Sequence, residues 1–357
     1  MLYPYKYPGI RLDENGNKLP STQSIQSFVN YIMLEVVLKA KKYPNAEFSS
    51  DMVIKKYRLL VQKCKVKLFK PISDLYSICR KLDNKHIKIL RKAVIENNRI
   101  KDLCEGKFSP VRYSYIETHF GDCDGEKLVR DIQALCNNLY DHTLACRTFE
   151  NKYGTFYDYY TSVVKRDKTC RFCGRDKTIL DENDSKRNAF DHYLPKGIYP
   201  FVSINFHNLV PICDECNSKF KLENDILLRE DGTRRKVFYP FSKEQYEIKI
   251  KIQLNGVYNK HPQKDDLKIT YSCDGHQEEV ESWLNIFDID ERYKTICCDS
   301  LNSFAQSIYN RVVRHNSRLS LADIIDMCEE NKYSDMNFLR VPFYKAIFST
   351  LGLIDNE

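Results

Sequence analysis

Cys170-Arg171-Phe172-Cys173 and Cys213-Asp214-Glu215-Cys216 enclose the stretch that decides the fold. Between them stand Phe190-Asp191-His192-Tyr193-Leu194-Pro195-Lys196 and Asn205-Phe206-His207-Asn208-Leu209-Val210-Pro211, and Asn217 follows at once. Two residues between cysteines let both sulfurs face one ion from a tight turn. Two such pairs complete a tetrahedral thiolate set, which suits zinc and leaves no open position. The expectation is a structural zinc on Cys170, Cys173, Cys213 and Cys216. Gly174 fits the sharp turn after the first pair. A redox pair would sit beside a βαβ unit, and no such unit is legible here. Chance clustering of buried thiols is the other plain reading.

The 39 residues between the pairs exceed what a simple zinc ribbon needs. Ala189 and Phe190 lead into Asp191-His192 as the end of a strand would. Leu209-Val210-Pro211-Ile212 can return as its partner, and Cys213 to Leu222 can open a short helix. This strand-strand-helix unit would bring Asp191, His192 and Asn217 together. One carboxylate, one imidazole and one amide make a poor zinc site. They make a fair open site for Mg²⁺ or Mn²⁺, because oxygen ligands suit hard ions.

These spaced motifs resemble HNH endonucleases, whose ββα-metal core is often clamped by two Cys-x-x-Cys turns. The likeness is to the subgroup with Asp-His-Tyr-x-Pro-Lys, then Asn-Leu-Val-Pro, then Cys-Asn-x-x-Lys, and it covers about residues 170–240. It implies His192 as general base, Asp191 as first metal ligand and Asn208 as the brace of the histidine loop. Asn217 stands where the second metal ligand falls, so Asp191 and Asn217 would carry the catalytic Mg²⁺ or Mn²⁺. Lys196 is the implied phosphate contact, and Arg234 and Arg235 resemble a trailing basic element that is expected to bind substrate as well. Phe220 stands where a lysine is expected, so Lys219 and Lys221 share the substrate-binding expectation.

The implied activity is phosphodiester hydrolysis, with DNA as the default substrate. The sequence leaves RNA, transfer RNA included, open. Related proteins with helical flanks occur in bacterial anti-phage defence, some beside an ATPase. No phosphate-binding Gly-x-x-x-x-Gly-Lys-Ser/Thr loop is present, so a nucleotide-driven step would need a partner ATPase. Competing readings are a non-catalytic zinc-stabilised nucleic-acid-binding or scaffold protein and a homing-type endonuclease.

Outward from this centre, the chain of 357 residues carries a net charge of +7. Residues 55–101 hold 15 Lys/Arg against three acids, a net of +12, leaving −5 elsewhere. Such a concentration points to a polyanion-facing surface, or more plainly to a solvated helix face. Apolar residues at Ile25, Phe28, Val29, Ile32, Val36 and Val37 predict a helix from Thr22 to about Lys42. Further helices are expected at Ile87–Ile95 and from Gly125 to about Asn151. Tyr246 to Leu254 and Leu267 to Tyr271 alternate as two strands. A C-terminal helix is expected with Ile296, Leu301, Phe304, Ile308 and Val312 inward, and Ser320 with Asp323 reads as a helix cap.

The fold class expected is therefore α+β: a ββα-metal core with structural zinc, mainly helical flanks and a small β-hairpin. The division expected is a helical region at 1–160, the nuclease core at 161–241, and a hairpin with helices at 242–357. No run of about 18 apolar residues suggests a membrane span. No secretory pattern opens the sequence, and the 14 cysteines are mostly scattered, so a cytoplasmic location is expected.

Overall fold

The computed structural model describes residues 1–12, 16–121, 124–164, 169–175, 190–256, 258, 261–314 and 320–354. Its architecture is α+β: many helices, two small antiparallel strand pairs and a buried cluster of four cysteines.

Helix α1 (Gln23–Tyr31) continues without a break through Ile32–Val36 and Val37–Lys42. Ile25, Phe28, Val29, Ile32 and Val36 all lie buried, as their three- and four-residue spacing requires. Helix α2 (Lys55–Lys63), a wide turn at Lys65–Phe69, α3 (Lys70–Cys79) and α4 (Asn84–Glu96) carry the basic segment. Asp83 caps α4 by accepting from the His86 amide at 2.8 Å, a contact worth about 1 kcal/mol. Leu90, Ala93 and Val94 face inward, while Lys85, Lys88, Arg91 and Lys92 remain exposed.

Two expectations need correction. The helix from Gly125 does not run to Asn151. It passes from Gly125–Asn138 into a wide-turn segment, Leu139–Thr143, and a new helix opens at Arg147–Tyr153. Leu139 and Leu144 are both buried, so tertiary packing overrides continuous helical periodicity there. Phe304 is 58% exposed rather than inward.

The first strand pair is β1 (Phe190–His192) with β2 (Leu209–Pro211), in register Phe190↔Pro211, Asp191↔Val210 and His192↔Leu209. Three-residue strands are too short to stand alone. The Phe156–Val164 helix packs on β2, and Phe190 lies between Tyr159 and Tyr160 at ring separations of 5.3 and 5.0 Å. The second pair, β3 (Lys249–Leu254) with β4 (Leu267–Ser272), buries Ile252, Leu267 and Ile269. The Asn337–Thr350 helix packs against β3. The capping box at Ser320 and Asp323 forms as expected.

The N-terminal arm is irregular but not loose. Met1, Leu2 and Tyr5 are buried, Leu2 N–H donates to the Arg171 carbonyl at 2.9 Å, and Tyr5 Oη donates to the Pro211 carbonyl at 2.6 Å. The arm thus ties the first cysteine turn to β2. Buried side chains form one continuous core from Met1 to Phe348. Among the described residues, no helix is long and apolar enough to cross a membrane.

Candidate active site and metal clamp

The sulfurs of Cys170, Cys173, Cys213 and Cys216 all lie within 4.8 Å of one another and are buried. Cys173 and Cys213 are 3.8 Å apart, sulfur to sulfur. Four thiolates placed about 2.3 Å from a tetrahedral zinc stand about 3.8 Å apart. The group could therefore hold a zinc ion. Close packing of the thiols pushes the pKa values of Cys213 and Cys216 up. A shared cation is what would let them ionise together.

The surroundings fix this cluster from several elements. Gly174 takes φ +67°, and an added Cβ would sit 2.4 Å from Phe338 Cε1 and 2.5 Å from Leu2 Cδ1. Amides of Arg175 and Cys216 each donate to cluster sulfurs at 3.5 Å. Arg292 donates to Cys216 Sγ at 3.4 Å and to Glu215 at 2.8 Å, placing a positive charge beside the thiols. Trp283 Nε1 donates to the Phe172 carbonyl at 2.7 Å, and Tyr293 Oη to the Cys173 carbonyl at 3.0 Å.

From β2 the chain enters the second cysteine turn and the Cys216–Lys221 helical turns, against which the Gln277–Phe287 helix packs. Asp191 and His192 end β1 beside these turns, both buried. Lys221, only 1% exposed, reaches back across the unit. Its ammonium donates to Asp191 Oδ1 at 3.1 Å and to the His192 carbonyl at 3.0 Å, and lies 2.9 Å from Asp191 Oδ2. Asp191 Oδ2 is buried and receives no well-directed hydrogen bond. Burial pushes the Asp191 pKa up, against the pull of Lys221.

His192 Nε2 lies 2.8 Å from the Ser203 carbonyl. A carbonyl only accepts, so the ring proton belongs on Nε2 and the lone pair on Nδ1. Burial lowers the His192 pKa to about 3, with the Ser203 contact opposing and Lys196 and Lys221 assisting. The ring is thus neutral at pH 7. Tyr140, from the Leu139–Thr143 segment, covers it edge to face at 4.4 Å.

Asn208 is fully buried. Its Oδ1 accepts from Leu194 N–H at 2.7 Å, and its Nδ2 donates to the carbonyls of Leu194 at 2.9 Å and Val202 at 3.4 Å. One side chain thereby closes the loop joining β1 to β2. Asn217 is half-buried, one turn before Lys221 on the same short helix. The carboxylate of Asp191 and the amide oxygen of Asn217 are donors of the kind Mg²⁺ or Mn²⁺ takes, and they fit that ion in chemistry. Lys221 is the cation beside the carboxylate in this structure.

The remaining expected residues divide. Lys196 pairs with Asp141 at 3.2 Å and lies 4.7 Å over the Tyr140 ring, close to His192. Lys219 is exposed on the short helix. Arg234 and Arg235 turn inward. Arg234 donates to the carbonyls of Leu227, Arg235 and Leu103, and Arg235 to those of Ile226, Asp225 and Leu228 and to Asn285 Oδ1. Both close the loop between residues 225 and 235. Sequence reasoning missed Tyr140, the Ser203 carbonyl and the Lys221–Asp191 pair. For the pair a signal existed: a lysine four residues after Asn217 shares its helix face.

A stretch of 50 residues, 14% of this chain, is 42% identical to the Septu protein PtuB of Bacillus thuringiensis. The match spans 18% of that protein's length. No family model matches the chain, and no solved structure does.

Proposed function

We propose that this protein is a metal-dependent endonuclease of the HNH kind, hydrolysing phosphodiester bonds in DNA. The observation that carries the reading is the neutral, oriented His192 beside Asp191 at the end of a strand pair whose partner strand leads into the cysteine clamp. Cys170, Cys173, Cys213 and Cys216 would hold Zn²⁺. Asp191 and Asn217 would hold Mg²⁺ or Mn²⁺, an ion that supplies charge relief on a phosphate oxygen and on the leaving oxygen.

The protein's own part is orientation and proton movement. Ser203 fixes the His192 tautomer so that Nδ1 accepts the proton of the attacking water. An arriving phosphodiester anion raises the basicity of the buried ring, because a nearby opposite charge favours the imidazolium. Asn208 holds the loop that aims the ring, and displacement of such a group by about 1 Å is costly in rate. Lys196 and Lys219 meet phosphate. Lys221 holds Asp191 and the His192 backbone in position before the ion binds.

The resemblance to HNH proteins of anti-phage systems, together with the short PtuB match, supports a place in such defence, with an ATPase partner supplying any nucleotide-driven step. In this reading residues 161–241 form the nuclease core, and 1–160 and 242–357 its flanks. The test is plasmid cleavage by the purified protein with added Mn²⁺ or Mg²⁺. Wild type should nick or linearise the plasmid, and His192→Ala and Asp191→Ala should not. Full activity in His192→Ala would refute the assigned base. Binding without turnover in wild type would favour a zinc-stabilised scaffold.

A further inference from the structure

The wide turn Lys65–Phe69 packs against the segment Leu139–Thr143 and leaves a groove of about 350 Å³ between them. Its lining includes Lys63, Lys65, Lys67 and His142, with Cys64 and Cys146 also present. The three lysines are exposed. Among the described residues, none of the three lies within ion-pair distance of a carboxylate, whereas Lys70, Lys92, Arg99 and Lys101 of the same basic segment all do. Lys67 Nζ lies 3.0 Å from His142 Nε2, across the groove.

The groove adjoins the site. Its wall, Leu139–Thr143, is also the cover of His192: Tyr140 packs on that ring, and Asp141 pairs with Lys196. His142, on the groove side, is two residues from Tyr140. Lys67 of the groove thus meets this segment at His142, and Lys196 meets it at Asp141 and Tyr140. Unpaired positive charge in a concave surface focuses potential on an anion of repeating charge.

We infer that this groove binds the sugar-phosphate backbone of the nucleic acid and leads the strand to His192. The direction toward His192 rests on the nuclease reading, whereas the binding itself does not. Three phosphates contacted by Lys63, Lys65 and Lys67 predict a definite salt dependence, because each contact contributes about 0.9 to the slope of log affinity against log salt.

The experiment uses the full chain carrying His192→Ala, without added divalent cation. Binding of a labelled short DNA duplex is followed by fluorescence anisotropy across a salt series. Adding Lys63→Gln, Lys65→Gln and Lys67→Gln should reduce the salt slope by about 2.7 and weaken binding at least about tenfold at low salt. The same charge removed from α4, as Lys85→Gln, Lys88→Gln and Lys92→Gln, should leave the slope within about one of the parent. Circular dichroism verifies that both triple variants fold, and single Lys65→Gln serves if the groove triple does not. Equal losses in the two triples, or an unchanged slope in the groove variant, would overturn the inference. Cleavage by wild type with an unaltered groove slope would sink the groove and spare the nuclease. A groove-dependent slope without any cleavage would do the reverse.

Discussion

Replacing Lys221 by methionine tests the least expected contact in the site. The substitution keeps the length and apolar stem of the side chain but removes the ammonium from Asp191 and from the His192 carbonyl. Both partners of the pair are nearly inaccessible, at 1% and 9% of side-chain exposure. Breaking a pair so buried leaves a carboxylate with neither water nor counter-charge, at a cost of about 3–5 kcal/mol. At about 2.1 cal/mol/K per residue, 357 residues unfold with an entropy of about 0.75 kcal/mol/K. The melting temperature should therefore fall by about 4–7 °C, read by differential scanning fluorimetry. The double variant Lys221→Met with Asp191→Leu removes both charges and should recover most of the loss. Mn²⁺ should also stabilise the single variant more than wild type, because the ion no longer competes with an ammonium for Asp191. A fall below about 1 °C in Lys221→Met would refute the buried pair. A single-variant loss that the double variant does not recover would assign the effect to packing rather than charge.

Asn208→Ala should destabilise by about 2 kcal/mol, since it leaves the buried Leu194 amide and carbonyl without the partner each now has, and should abolish cleavage. Asn208→Asp should cost at least as much, because it places carboxylate oxygen against two carbonyls; chemical denaturation measures both. Gly174→Ala combines a left-handed backbone with contacts under 3 Å to Phe338 and Leu2, and should cost more than about 1 kcal/mol together with a lower zinc content by atomic emission. Stripping zinc with a strong chelator should unfold the region around β1 and β2, seen as loss of amide-exchange protection. Protection unchanged in the metal-free protein would count against a zinc clamp. His192 has a pH signature: its folded pKa of about 3 lies below the unfolded value of 6.5, so the stability it carries is complete above about 6.5. That stability is lost as pH falls toward 3, by at most about 1.4 kcal/mol per unit. His192→Gln should lack this component, and a wild-type and variant stability difference that is flat with pH would show that the ring titrates freely.

The readable part of this chain was the part with short-range chemistry. Two Cys-x-x-Cys turns announce their geometry because two sulfurs on one turn have few other arrangements. The β3–β4 alternation and the Ser320–Asp323 cap are likewise local patterns, and both form. What stayed hidden depends on contacts distant in sequence. Tyr140 reaches His192 from 52 positions earlier, and Arg292 reaches Cys216 across 76. No periodicity encodes either. Arg234 and Arg235 show the converse: a basic pair that reads as a phosphate contact is held inward by backbone carbonyls whose positions only the folded loop defines. The helix break after Thr143 is of the same kind, since the burial of Leu144 is a tertiary event.

A strand pair of three residues each has too little ladder to hold a catalytic group steady. The structure meets that need with supports arriving from outside the pair. Tyr5 pins Pro211, Tyr159 donates to the Phe206 carbonyl, Asn208 closes the connecting loop, and the cysteine cluster anchors the start of the following helix. Asn208 and the cysteines belong to the centre itself, whereas Tyr5 and Tyr159 come from the N-terminal flank, so that flank supplies part of the hold on the small centre. Isolating residues 170–240 would remove Tyr5, Tyr159 and Arg292 together and strip Phe190 and Phe172 of the rings of Tyr159 and Phe287 that now pack on them. Rigidity at His192 is therefore a property of the whole core, and variation in the flanks should register in the site before it registers in the fold.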